Sequence, residues 1–83
     1  MRISGQIVFK GNKNVVQSAL REIASHLGIS LNLDSDLTQL ARGHYCIDLN
    51  HTSRKKKFPP SLGKILKNTP SITDYDVYSI DLA

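Results

Sequence analysis

The 83-residue chain has no tryptophan, one cysteine, two phenylalanines and three tyrosines. A single cysteine, Cys46, excludes an intrachain disulfide, so packing alone has to hold the domain together. No stretch reaches the roughly 18–20 apolar residues of a membrane span, and the opening MRISGQIVFKG lacks the unbroken apolar core of a secretory leader. The expectation is a cytoplasmic protein with no membrane association. Also missing are a glycine-rich phosphate loop, a nucleotide fingerprint and zinc-finger spacing, so no cofactor and no structural metal are expected.

The most telling absence is of acid. No Asp or Glu falls between Asp48 and Asp74, while Arg54, Lys55, Lys56, Lys57, Lys64 and Lys67 all lie in that interval. The last twelve residues reverse the pattern, holding Asp74, Asp76 and Asp81 with no Lys or Arg. The formal net charge of +4 therefore conceals one basic segment and one acidic end.

What is present is the composition of an ordinary globular chain, 40% hydrophobic and 22% charged. Its length allows one domain, residues 1–83, with one core. Burying a dozen aliphatic side chains at about 1.5–3 kcal/mol each offsets the ordering entropy only narrowly. That margin leaves room for a homodimer or a bound partner.

RISGQIVFK alternates, with Ile3, Gly5, Ile7 and Phe9 on one face, and reads as a strand buried on one side. GNKN breaks it. Asn14 is the expected cap of a helix through VVQSALREIASHL, in which Val16, Leu20, Ile23, Ala24 and Leu27 form an apolar stripe and Gly28 supplies the left-handed stop. ISLNL alternates as a short second strand. DSDLTQLARG reads two ways: one or two helical turns capped by Asp34 or Ser35 and ended by Gly43, or a long loop. HYCIDLN is the third strand. After the basic loop, Pro59 and Pro60 lead to a short helix capped by Ser61, with Leu62, Ile65 and Leu66 facing inward. DYDVYSIDL closes the chain as a last strand with a bulge near Ser79.

Strand, helix, strand, strand, helix, strand is the split βαβ order. The expected fold class is an α+β, ferredoxin-like βαββαβ sandwich, a four-stranded antiparallel sheet with two helices on one face. The other face, carrying Arg2, Gln6, Val8, His44 and Cys46, stays open to water or a partner. Residues 21–30, REIASHLGIS, resemble the first helix and turn of a helix-turn-helix, but Asp34 then falls where a recognition helix is normally buried.

This fold class does not settle function. The leading expectation is a non-enzymatic module that contacts nucleic acid, or a nucleic-acid-bound protein, through Arg54, Lys55, Lys56, Lys57, Phe58 and Lys64, with Arg2, Lys10 and Lys13 joining them. Clustered cations gain affinity by releasing counterions from phosphates, and Phe58 is placed to stack on a base. The first strand offers no aromatic on the open face, so contact is expected to be largely blind to sequence.

Two alternatives belong to other classes. One is a small regulator or inhibitor, of the kind encoded by phages or mobile elements, that binds a protein through its open sheet face or pairs through an edge strand. The other is a metal-free ribonuclease toxin, with His44 and His51 as acid and base beside Lys55 and Tyr45. His44, Cys46, Asp48 and His51 are also metal-ligand types, yet residues along one strand cannot surround an ion unaided. No catalytic residue is assigned.

Overall fold

The computed structural model describes residues 1–80, and of residues 33 and 34 the backbone alone. The elements are β1 (Arg2–Lys10), α1 (Lys13–Leu27), α2 (Leu33–Asp36), β2 (Leu37–Ala41), β3 (His44–Thr52), α3 (Leu62–Asn68) and β4 (Ile72–Ile80). One sheet in the order β2-β3-β1-β4, antiparallel throughout, carries α1 and α3 on one face. This is the ferredoxin-like βαββαβ fold.

The alternation of β1 sets the layers. Ile3, Ile7 and Phe9 are fully buried and meet Val16, Leu20, Ile23 and Leu27 of α1, with Leu62 and Leu66 of α3 closing the core. From β3 come Ile47 and Leu49. These are the aliphatic faces that period 2 and period 3.6 mark out.

Several local expectations need correction. Asn12, not Asn14, caps α1: its side chain accepts the Val15 N–H at 2.9 Å from an extended backbone, and Asn14 lies inside the first turn. ISLNL forms no strand. Gly28 adopts φ 67°, and the Ile29 N–H returns to the Ala24 carbonyl at 3.1 Å, so the apolar residue after the glycine completes the helix stop. Ile29 is buried there and unavailable to a ladder.

The ambiguous segment resolves into both regular types. A single helical turn, α2, is tied by the Asn32 N–H to the Asp36 carboxylate at 2.9 Å, and β2 follows at once. Gly43, at φ 74°, turns β2 into β3 and does not end a helix. The helix-turn-helix likeness has no second helix beyond this one turn. Finally, the bulge lies at Thr73, where Val8 faces Asp74 but Phe9 faces Ile72, and not near Ser79. β4 starts at Ile72; the Asp81 and Leu82 of the expected strand lie outside the described residues. In α3, Ser61 holds the N-cap position with a helical backbone and no side-chain cap bond, and Ile65 is only half-buried.

Gly5 is the strictest position in the sheet. Its φ is +131°, and a Cβ there would stand 1.9 Å from the backbone oxygen of Asp76. The glycine lets β4 close on β1. Gly5→Ala is expected to cost on the order of 3 kcal/mol or more, from backbone strain plus the collision, read as a fall in the urea midpoint.

Candidate polyanion interface

The basic segment is an exposed loop with both ends tied down. Ser53 is buried; its hydroxyl donates to the Leu27 carbonyl and accepts the Lys55 N–H at 2.9 Å. The Ser53 N–H donates to the Met1 carbonyl at 2.7 Å, and the Arg54 N–H to the Gly28 carbonyl at 2.9 Å. At the other end Phe58 is half-buried and packs against the core. Its placement favours anchoring over stacking on a base.

Between these stakes Arg54, Lys55, Lys56 and Lys57 are all exposed. Among the described residues none of the four forms an ion pair or side-chain hydrogen bond. The loop crosses the carboxyl end of α1, where a Cβ on Gly28 would come within 2.9 Å of Lys55 Cγ. A cation near that end stabilises the helix dipole by about 0.3–1 kcal/mol, an effect confined to the last turn. That local role accounts for Arg54 or Lys55. It does not account for a run of four.

The tertiary structure adds Arg21, a residue of α1 outside the basic segment. Arg21 and Arg54 flank a groove of about 350 Å³ floored by Leu20, Ala24, Ile29 and Leu31. The available signal was spacing: Arg21 stands seven residues, close to two turns, before Gly28, and so on the side of α1 that the loop covers.

Other cations are dispersed. Arg2 pairs with Thr52 at the loop end of the sheet and holds Asn50 Oδ1 through Nε at 2.9 Å. Lys10 pairs with His44, and Lys13 opens α1, at the opposite end. The nine residues of β1 separate these ends by roughly 27 Å, so Lys10 and Lys13 do not join the loop. Lys64 lines a different groove, about 490 Å³, shared with Glu22, Ile65, Thr69 and Pro70.

The open sheet face is acidic. The registers place Asp48, Asp74 and Asp76 on it, with Tyr78 and Ile80 beside Ser4 and Arg2. Cys46 lies on this face but is buried, its sulfur accepting from Gln6 Nε2 at 2.8 Å. With Arg2 and Lys10 on the same face, the three carboxylates leave it one negative charge in excess, in contrast to the uncompensated cations of the loop.

His44 and His51 do not converge. Seven residues apart on β3, they occupy opposite faces and lie roughly 23 Å apart along the strand. His44 Nδ1 is 3.1 Å from the Arg42 carbonyl, while His51 Nε2 is 3.6 Å from Asp36 Oδ2. That pair cannot serve one substrate as acid and base. Among the described residues no three His, Cys, Asp or Glu side chains gather as metal ligands. No helix there is long and apolar enough to cross a membrane.

The architecture thus defines a ferredoxin-like α+β domain with a staked cationic loop at one end of the sandwich. Comparison with protein-family models, curated proteins and solved structures finds no match to this chain.

The loop depends on Ser53. Ser53→Ala removes a buried donor and leaves the Leu27 carbonyl without that hydroxyl, at an expected cost of about 1–3 kcal/mol. Amide exchange at Lys55 should accelerate with it; an unchanged rate would mean that the hydroxyl does not hold the loop.

Proposed function

We propose that this domain is a non-enzymatic module that binds nucleic acid, or a protein carrying nucleic acid, by phosphate contact at the loop end of the sandwich. The observation that carries the reading is the run Arg54–Lys57, exposed and without acidic partners on an anchored backbone. Arg21 extends the cationic surface across the groove it shares with Arg54. An anchored loop pays less ordering entropy on binding than a free one, which favours a standing contact surface over a solubilising tail. Recognition by lysines through phosphate is electrostatic and carries little sequence information.

The test is retention of mixed RNA and DNA by the purified protein at two salt concentrations. Four phosphate contacts correspond to roughly a hundredfold loss of affinity between about 50 and 200 mM salt. Lys55→Glu with Lys56→Glu should abolish retention, whereas Lys10→Glu with Lys13→Glu, at the far end, should leave most of it. No retention at the lower salt, or equal losses from the two pairs, would overturn the proposal.

A second reading has one observation in its favour. The carboxylates of Asp48, Asp74 and Asp76 on the open face, with Tyr78 among them, suit a basic protein surface. A regulator working through that face would tolerate Lys55→Glu and Lys56→Glu.

A further inference from the structure

The two edges of the sheet are finished differently. β2 is five residues long, and its pairing with β3 shifts between Gln39 and Ala41. A short, bulged edge resists further pairing. β4 is nine residues long, with its irregularity confined to Thr73 near one end, and contains no Lys, Arg or Pro. It carries Tyr75, Tyr78 and Ile80, three of the five exposed large hydrophobic residues among those described.

Which backbone groups face outward can be read directly. The Asp76 carbonyl points at Gly5 on β1. The Tyr75 N–H is taken by its neighbour Asp74 Oδ1 at 2.9 Å and therefore faces away from β1. Backbone groups alternate along a strand, so the N–H and C=O of Tyr75, Val77 and Ser79 form the free edge.

We propose that β4 is a self-complementary edge that pairs antiparallel with β4 of a second copy, with Val77 opposite Val77 on the two-fold axis. This register sets Tyr75 against Ser79 and uses all three outward residues of each copy, for about six main-chain hydrogen bonds. On the open face it sets Asp76 against Tyr78 and Asp74 against Ile80. No carboxylate meets another head-on, and the Tyr78 hydroxyl comes beside a carboxylate acceptor.

Neighbouring registers are poorer. Moving the axis to Asp76 places the two Asp76 side chains directly opposite, and moving it to Tyr78 shortens the described overlap. Arg2 stands next to Ile80 in its cross-strand row. It therefore lies two strands, about 9–10 Å, from the partner's Asp74, within reach of a long side chain. The product is a continuous eight-stranded sheet with all helices on one face, and it is closed by symmetry. Asp74, capping the Tyr75 N–H, shields the edge in the free chain and has to release it on pairing.

The experiment is sedimentation equilibrium over a concentration series, with amide exchange at low and high protein concentration. A reversible monomer–dimer equilibrium is expected, with protection at Tyr75, Val77 and Ser79 that appears only in the concentrated sample. Tyr78→Asp, an exposed change that puts carboxylates face to face, should weaken the dimer about tenfold with the monomer fold intact by circular dichroism. Adding Asp76→Lys to Tyr78→Asp should restore it. Association should also persist at high salt, where phosphate contact fades, so the two proposals fail separately. A chain that stays monomeric at its solubility limit, or a dimer indifferent to Tyr78→Asp, overturns this one.

Discussion

Gly28 is the residue on which the basic end of the molecule depends. Its left-handed backbone stops α1, sends Ile29 back under the helix, and presents the carbonyl that accepts the Arg54 N–H. Any side chain there would meet Lys55 and Ser53 as well as an unfavourable φ. One residue thus couples the end of the first helix to the start of the basic loop, although 26 positions separate Arg54 from Gly28 in the chain. Ser53 repeats the coupling through its hydroxyl, so the junction is held by both backbone and side chain.

Charge is partitioned by the same geometry. The exposed run Arg54–Lys57 lies where α1 ends and β3 runs out, whereas Asp48, Asp74 and Asp76 share the open sheet face; Asp36, beside His51, is the carboxylate nearer the loop end. At physiological ionic strength charges more than about 8 Å apart are largely screened. The two regions are therefore electrostatically separate surfaces, one cationic and one acidic. A small core leaves little stability in reserve, and an added strand along β4 would bury apolar surface that the monomer leaves in water.

Much of the fold was legible in the chain. Ile3, Ile7 and Phe9 in β1 and the stripe from Val16 to Leu27 in α1 declare themselves by period, because one-sided burial leaves no other arrangement of these residues. ISLNL has the pattern of a strand without forming one, for a physical reason. Ile29, Leu31 and Leu33 alternate as a strand does, but Ile29 is claimed by the helix stop, a contact with Ala24 that outweighs local alternation. Leu37 to Ala41 alternates less clearly, and its strand character comes from pairing with β3. Asn12 and Asn14 are equally good caps by type, and the choice fell to the backbone angle at the end of the turn.

The candidate site divides along the same line. The run of cations, the absence of acid around it and the acidic close of the chain follow from residue identity alone, because charge is a property of the residues. So do the layers of the core, since periodicity follows from backbone geometry. It is the tertiary structure that sets Arg21 beside Arg54 and keeps Lys10 and Lys13 apart from the loop. Those facts depend on which strands pair and where a helix ends, and such contacts between distant residues leave no mark in the order of either segment.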